Sequence, residues 1–307
     1  RFAAASYRSA LYGLGFDPGV IRSLPPNTVE AYTFGVSGTG QPRGLTAAGP
    51  PHAVCEFDFR QWKTSTADWR AAFAAAVAKR VRGQRAFIGL SSDSDSNALQ
   101  LMLHRLHLAP CDVLSLEDQQ MVERRYSLAP GPPGGEAGVI LLNEEQVVAE
   151  RHWVNKYVEP FQYRAQELRG NGVLRDPASL GLSTICRWAK RLARSRGNVV
   201  TAVQPKPPVF LSATGAGEIM GAYGLNGTAL SEHSSARGLW PDDLGEVFPW
   251  LSFFLGALRD HLAKEEHVCG AHGLEVRYPF LDRRVVQEFL WLRADAKHGE
   301  YKRPLLD

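Results

Sequence analysis

The chain has few cysteines, no long apolar run and almost no net charge. Its four cysteines stand far apart and form no Cys-x-x-Cys pair, which argues against a zinc site or a disulfide scaffold and favours a soluble, reducing compartment, either the cytoplasm or an organelle interior. No run reaches the about 18 apolar residues of a membrane span. A net charge of +3 over 307 residues is too small to indicate a nucleic-acid partner. We therefore expect no membrane span and no nucleic-acid partner.

The N-terminal stretch lacks both an initial methionine and any acidic residue before Asp17. An Arg-, Ala- and Ser-rich start is typical of the end of an organelle transit peptide. The alternative, which we favour, is the edge of a domain whose earlier part is not included. Strand-like pieces at Val29–Phe34 and Ala53–Phe59, broken by Pro- and Gly-containing turns, predict a β-rich region that is too small for a core of its own.

The remaining chain alternates apolar strand-like runs with helical patterns, which predicts an α/β fold with a parallel sheet flanked by helices. The predicted helices are Thr66–Gly83 (with Thr66 as N-cap and Gly83 as the stop), Asn97–Leu108, Glu144–Gly170, Leu182–Arg196, Leu244–Ala263 and Arg284–Leu292. The predicted strands are Ala86–Leu90, Cys111–Leu116, Val139–Leu142 and Pro208–Leu211.

The stretch Ala86–Ser96 reads Ala-Phe-Ile-Gly-Leu-Ser-Ser-Asp-Ser-Asp-Ser and is followed at once by a helical pattern. A strand, a tight loop and a helix together present backbone N–H groups to a phosphate. Phosphate loops, however, are usually built from glycine so that the backbone can approach the anion. This loop has two aspartates and no glycine after Gly89. A carboxylate at Asp93 would face a bound pyrophosphate as a like charge.

Two further stretches carry motifs. Val209–Tyr223 reads Val-Phe-Leu-Ser-Ala-Thr-Gly-Ala-Gly-Glu-Ile-Met-Gly-Ala-Tyr, and Ala271–Asp282 reads Ala-His-Gly-Leu-Glu-Val-Arg-Tyr-Pro-Phe-Leu-Asp, with Lys302 beyond it. In this order the three stretches resemble the synthetase domain of the asparagine synthetase family, whose motifs are Ser-Gly-Gly-x-Asp-Ser, Ser-Gly-Glu-Gly-Ala-Asp-Glu-Leu-Phe-Gly-Gly-Tyr and Gly-Leu-Glu-x-Arg-x-Pro-Phe-Leu-Asp. The resemblance covers about Thr66 to Asp307.

The resemblance implies an ATP pyrophosphatase domain of the adenine nucleotide alpha hydrolase-like fold at residues 63–307, preceded at 1–62 by the remnant of a glutaminase-type domain. In that family ATP activates a carboxylate as an acyl-adenylate, an amine attacks, and magnesium held by carboxylates neutralises the phosphates. Carried over by position, the cofactor-binding residues are Ser91, Asp95, Ser96, Ser212 and Gly215. The catalytic residues are Lys302 and Glu218, and the metal ligand is Asp95.

The departures from the family motifs cluster where phosphate and metal would lie. Ser92 and Asp93 replace the two loop glycines, Thr214 replaces a glutamate assigned to acid–base work, and Gly217 replaces the aspartate that would be the second magnesium ligand. A single carboxylate binds magnesium weakly. The matches that remain are largely residues that fold a domain.

Two functions are therefore open. The first is a domain that has lost ATP-dependent amide synthesis, needs no cofactor and acts as a structural or protein-interaction subunit beside other protein subunits. The second is a divergent ATP-dependent ligase that uses ATP and magnesium. Lys302, Asp95 and the intact Gly273–Asp282 motif favour the second, and the altered loop favours the first.

Overall fold

The structure is a computed structural model and describes residues 2–36, 39, 42–91, 93–108, 111–116, 135–165, 172–195, 206–220, 240–297 and 303–306. The helices are α1 (Arg8–Gly13), α2 (Ala67–Val81), α3 (Ser94–Arg105), α4 (Glu144–Tyr157), α5 (Pro177–Ser195), α6 (Ala216–Ile219), α7 (Leu251–Phe254), α8 (Gly256–Ala271), α9 (Arg283–Trp291) and α10 (Arg303–Leu306). The strands are β1 (Thr28–Val29), β2 (Tyr32–Val36), β3 (Pro42–Ala47), β4 (His52–Ala53), β5 (Ala86–Gly89), β6 (Cys111–Ser115), β7 (Ala137–Val139), β8 (Val209–Leu211) and β9 (Val276–Arg277).

The chain divides into two units, Arg1–Phe57 and Asp58–Asp307. In the first unit β1 pairs with β4 and β2 pairs with β3, both antiparallel. None of the described residues of this unit is buried, as expected of a segment too short to build a core. The strand predicted at Ala53–Phe59 was wrong beyond its first residue, because β4 ends at Ala53.

The second unit is built on a five-stranded sheet in the order β7-β6-β5-β8-β9, with every pairing parallel. This confirms the predicted α/β fold, a parallel sheet flanked by helices as in the adenine nucleotide alpha hydrolase-like fold. The chain moves outward from β5 to β7 and then returns to place β8 on the other side of β5. The carboxyl ends of β5 and β8 thus flank the topological switch point, where ligands bind in open α/β sheets.

Aromatic packing on α2 holds one face of this unit together. Phe73 packs against Phe280 and Trp69 against Phe289, with ring centroids 4.5 and 5.6 Å apart, and all four side chains are fully buried or nearly so. Burying one such ring contributes about 1.5–3 kcal/mol. The predicted N-cap Thr66 makes no capping bond, because Ser65 Oγ instead accepts the N–H of Ala67 at 3.2 Å.

The opposite face is covered by α4, α5 and α8. The thiols of Cys186 and Cys269 are free, buried and 3.3 Å apart where α5 meets α8. Beside them, Ser183 Oγ lies 2.8 Å from His272 Nε2 and also donates to Glu150. Burial lowers the pKa of His272 to about 3, so this imidazole is neutral and acts as a core hydrogen-bonding group.

The long helix predicted over Leu244–Ala263 was wrong. The segment forms a 3₁₀ turn at Leu244–Glu246, the short helix α7 and then α8. Proline at Pro249 cannot donate to a helical ladder. Gly256, the first residue of α8, has φ of +56°, a conformation that interrupts a right-handed helix. The break lets α8 begin at Gly256 and run to Ala271. Among the described residues, no helix has the length and apolar character needed to cross a membrane.

Candidate functional site

A cleft of about 220 Å³ opens at the switch point. The loop after β5 and the start of α3 form one wall, and the end of β8 with α6 and α8 forms the other. The described residues that line the cleft are Gly89, Ser91, Asp93, Asp95, Ser96, Phe210, Ser212, Ala213, Thr214, Gly217, Glu218, His261 and Glu265. The fold therefore brings residues that are far apart in the sequence to one side-chain cluster.

Described backbone N–H groups in the loop after β5 are bonded to nearby side chains of the same stretch. The N–H of Ser91 donates to Ser96 Oγ at 3.1 Å, and the N–H of Asp93 donates to Ser91 Oγ at 3.2 Å. Ser96 Oγ in turn contacts the carbonyl oxygens of Ser91 and Asp93, 3.3 and 3.2 Å away. N–H groups that would face an anion in a phosphate loop are here bonded inside the loop.

Asp93 is the N-cap of α3. Its Oδ1 accepts the N–H of Ser94 at 3.1 Å, and its backbone is extended, as an N-cap requires. A carboxylate at this position interacts favourably with the positive end of the helix. Since that end is also where a phosphate would bind, the Asp93 carboxylate provides the negative charge that a ligand would otherwise bring. The helix predicted to begin at Asn97 begins three residues earlier for the same reason.

Glu265 of α8 forms the floor on the β8 side. Its Oε1 accepts from Thr214 Oγ1 at 2.7 Å and from Ser212 Oγ at 2.9 Å. Its Oε2 is buried and has no hydrogen-bond partner in the described part of the chain. Burial raises the pKa of Glu265 above its ordinary value, although the two hydroxyl bonds oppose this shift. The carboxyl group therefore keeps its proton to a higher pH than a solvated glutamate does.

Glu218 and His261 form a hydrogen-bonded pair at the edge of the cleft. Glu218 Oε1 lies 2.8 Å from His261 Nδ1, and Oε2 accepts the N–H of Gly215 at 3.0 Å. Burial alone would raise the pKa of Glu218, but the hydrogen bond and the charge of His261 outweigh it, and the pKa lies below its ordinary value. Glu218 is thus ionised and held at both oxygens.

Gly215 shapes the β8 loop by its conformation. Its φ is +101°, in the region that side chains other than hydrogen disfavour. A Cβ built on it would lie 2.3 Å from Leu281 Cδ2. The residue is buried, and it lets the chain turn into α6 directly above the 3₁₀ turn Pro279–Leu281.

The third motif lies outside the lining of the cleft and makes structural contacts. Asp282 caps α9 by accepting the N–H of Arg284 at 3.1 Å and also pairs with Arg80 at 2.9 Å. Arg277 donates to Gln84 Oε1 at 2.7 Å. These bonds join β9 and its following turn to α2 and its C-terminal end.

The predicted site residues are thus largely brought together. Ser91, Asp95, Ser96, Ser212 and Glu218 line the cleft, Gly215 lies just behind it, and Gly217 contributes no carboxylate to it. Lys302, Ser92, Gly221 and Tyr223 lie outside the described residues. Sequence reasoning missed His261 and Glu265, whose spacing of four on a helix was the available signal.

Comparison with known families supports this part of the sequence interpretation. The family model described as Asparagine synthase matches residues 250–305, a segment that contains α7, α8, β9, the third motif and α9. The predicted resemblance to the asparagine synthetase family is confirmed by this match. No curated protein matches the chain.

Proposed function

Because residues 250–305 match the asparagine synthase family, we propose that the chain is an asparagine-synthetase-like domain that has lost ATP-dependent amide synthesis and acts as a structural or protein-interaction subunit. The observation that carries the proposal is the closed loop after β5. The N–H groups of Ser91, Asp93 and Ser94 are all bonded to side chains of the same loop. A pyrophosphate would have to displace these bonds and face the carboxylate of Asp93.

ATP and magnesium, which membership of the family implies, do not fit the described residues as they are arranged. A phosphate loop offers free N–H donors and a neutral backbone surface. Here the N–H groups of Ser91, Asp93 and Ser94 are already bonded to side chains, and Asp93 adds a carboxylate. Asp95 lines the cleft, but the position of the second magnesium carboxylate is Gly217. Magnesium is held in nucleotide sites by one or two carboxylates together with substrate phosphates, so loss of phosphate binding removes most of its ligands as well.

The proposed interaction role directs attention to exposed apolar side chains on α4 and just before it. Leu141 and Val148 have 75% and 69% of their surface exposed, and Tyr157 at the end of the helix has 52% exposed. Exposed apolar side chains mark a protein contact when they form a contiguous patch, so a partner at this helix is tested directly. A photo-crosslinking residue at Val148 should trap a partner protein in cells, and the same residue at the exposed Asp295 should not. Equal trapping at both positions, or none at either, would contradict the interaction role.

A divergent ATP-dependent ligase is the second candidate, and the open cleft favours it. The cleft lies at the switch point between β5 and β8 and still carries Asp95, Ser212 and Glu218. These are positions that the resemblance assigns to ATP, magnesium and catalysis.

Mg-ATP binding to the full chain, measured by calorimetry and thermal shift, separates the two candidates. We expect no saturable heat and no stabilisation at millimolar Mg-ATP. Saturable binding that is lost in Asp95→Ala but kept in Asp295→Ala would overturn the proposal and establish the ligase. The triple variant Ser92→Gly, Asp93→Gly and Gly217→Asp restores the family residues. Gain of Mg-ATP binding in this variant would show that those three positions are what excludes ATP.

A further inference from the structure

Two thiols are in contact where α5 packs against α8. Cys186 of α5 and Cys269 of α8 are fully buried and free, and their Sγ atoms lie 3.3 Å apart. A disulfide bond is about 2.0 Å long, so the two sulfurs need to approach by only about 1.3 Å to form one. Neither side chain lines the cleft at the switch point.

Polar contacts one turn before and one turn after Cys186 hold the two helices in register. Ser183, Cys186 and Lys190 are spaced by three and four residues, so they share one face of α5. Ser183 Oγ lies 2.8 Å from His272 Nε2, and Lys190 donates to the carbonyl oxygen of His272. Cys269 stands one turn before His272, near the end of α8. The thiols are therefore held opposite each other by contacts that they do not themselves make.

Folding has already closed the loop that a disulfide at this position would close. Cys186 and Cys269 are 83 residues apart in the sequence, and bringing two such distant residues together is the main entropic cost of a crosslink. Cys111 provides the contrast. It is equally buried, but its Sγ contacts the carbonyl oxygen of Asp112 at 3.8 Å. Burial of a cysteine in this fold therefore does not by itself produce a thiol pair.

We propose that Cys186 and Cys269 form a reversible disulfide when the chain meets a small-molecule disulfide such as glutathione disulfide, and that this bond fixes α5 to α8. One cysteine sulfur attacks the small disulfide, which forms a mixed disulfide and releases one small thiol. The second cysteine sulfur then attacks the protein sulfur of the mixed disulfide and releases the second small thiol. The two protein thiols lose two electrons and two protons, and the two released thiols carry them away.

The disulfide should form slowly in the folded chain. The thiolate is the species that attacks a disulfide, and burial together with the hydrogen bond from Cys186 raises the pKa of the Cys269 thiol. Both sulfurs are also out of reach of the oxidant while the helices are packed. Exchange therefore requires a local parting of α5 from α8, which costs less free energy than global unfolding. Such a pair responds to sustained oxidation rather than to a brief pulse.

The disulfide would act on the helix that carries part of the cleft. His261 and Glu265 of α8 line the cleft, and Glu265 lies one turn before Cys269. A bond at Cys269 limits how far this end of α8 can move away from α5. The inference does not rest on the proposed function, since it holds whether or not ATP enters the cleft.

Incubation of the full chain with glutathione disulfide in native buffer, followed by unfolding, alkylation and peptide mass spectrometry, tests the proposal. We expect a peptide that joins Cys186 to Cys269, that forms faster in urea below the unfolding transition, and that dithiothreitol removes. Cys111 is the matched buried thiol and should be recovered alkylated. The oxidised protein should unfold at a higher urea concentration than the reduced one, because the bond restricts the unfolded chain. In Cys186→Ala, glutathione disulfide should leave the urea midpoint unchanged.

Three results would overturn the proposal. The first is absence of the joined peptide while glutathione disulfide remains in excess, both in native buffer and after refolding from urea with the same oxidant. The second is a joined peptide that appears only after full unfolding, because the disulfide would then not belong to the folded chain. The third is an oxidised protein that unfolds at a lower urea concentration than the reduced one, because the bond would then distort the packing of α5 against α8.

Discussion

Replacing Gly215 by alanine should destabilise the second unit strongly. The substitution forces a Cβ onto a residue with φ of +101° and places it 2.3 Å from Leu281 Cδ2, a distance at which one of the two must move. Gly215 is buried at the turn into α6, so relief must come from the Leu281 side chain, whose Cγ also lies 2.9 Å from the Cβ position.

The expected magnitude has two parts. A side chain in the left-handed region costs about 1–2 kcal/mol, and overpacking a filled site costs about 1–3 kcal/mol more. Gly215→Ala should therefore lose roughly 2–5 kcal/mol of unfolding free energy. Gly273→Ala is the matched control, because Gly273 has φ of +70° but no atom within 4 Å of its Cβ position. Gly273→Ala should therefore lose only the about 1–2 kcal/mol that comes from the left-handed conformation.

Urea unfolding followed by tryptophan fluorescence measures the loss of unfolding free energy in each variant. The double variant Gly215→Ala, Leu281→Ala isolates the contribution of the contact between the new Cβ and Leu281. Removing the Leu281 branch should recover the overpacking part, so the two losses should sum to more than the loss in the double variant. Equal stabilities of Gly215→Ala and Gly273→Ala, or strictly additive losses in the double variant, would refute the packing explanation for Gly215.

Three further predictions concern charge. Asp93→Gly should bind inorganic pyrophosphate at least tenfold more tightly than the wild type in calorimetry, and it should lose a few tenths of a kcal/mol of stability. Asp93→Asn should gain less affinity, because its amide still caps the helix. Equal pyrophosphate affinities in all three proteins would contradict the blocking role of Asp93. Burial lowers the pKa of Lys297 from 10.5 to about 7, so the unfolded chain binds this proton more readily, and wild-type stability should rise with pH between about 7 and 10.5. Lys297→Met should remove that rise in urea unfolding, and parallel pH curves for the two proteins would show the reasoning to be wrong. Burial raises the pKa of Glu265 above 4.5, so the folded state holds the proton more tightly and wild-type stability should fall as pH rises from 4.5 through the folded pKa. Glu265→Gln should not show this fall. If the difference in unfolding free energy between the two proteins stays constant with pH, Glu265 does not titrate as expected.

The strand and the loop at Ala86–Ser96 were predictable because periodicity and the abrupt change to polar residues are local signals. The α/β class followed from the alternation of elements, and the parallel sheet confirms it. The strand order could not be predicted from the sequence, since it depends on which apolar faces pack together. The same holds for the cleft, which exists because β8 returns beside β5 rather than beside β7.

The site was predictable only in part. The motif residues were recognised, but the cap formed by Asp93 was missed although aspartate before a helical run is a standard start signal. Glu265 and His261 fell at or near the end of a predicted long helix, where a carboxylate and an imidazole resemble an ordinary solvated face. Only the break at Gly256 and the packing of α8 against the sheet turn these two side chains toward the cleft.

The position of the third motif in the fold shows which part of the chain carries the similarity to the family. Within the matched residues 250–305, His261 and Glu265 are the described residues that line the cleft, while Pro279, Phe280 and Leu281 form the turn beneath Gly215. The segment that makes the chain recognisable is thus mainly a packing module. Most of the described residues that line the cleft, those from β5, β8 and their following loops, lie outside the matched segment. Two proteins could therefore match equally well in residues 250–305 and still differ in most of the residues that line this cleft.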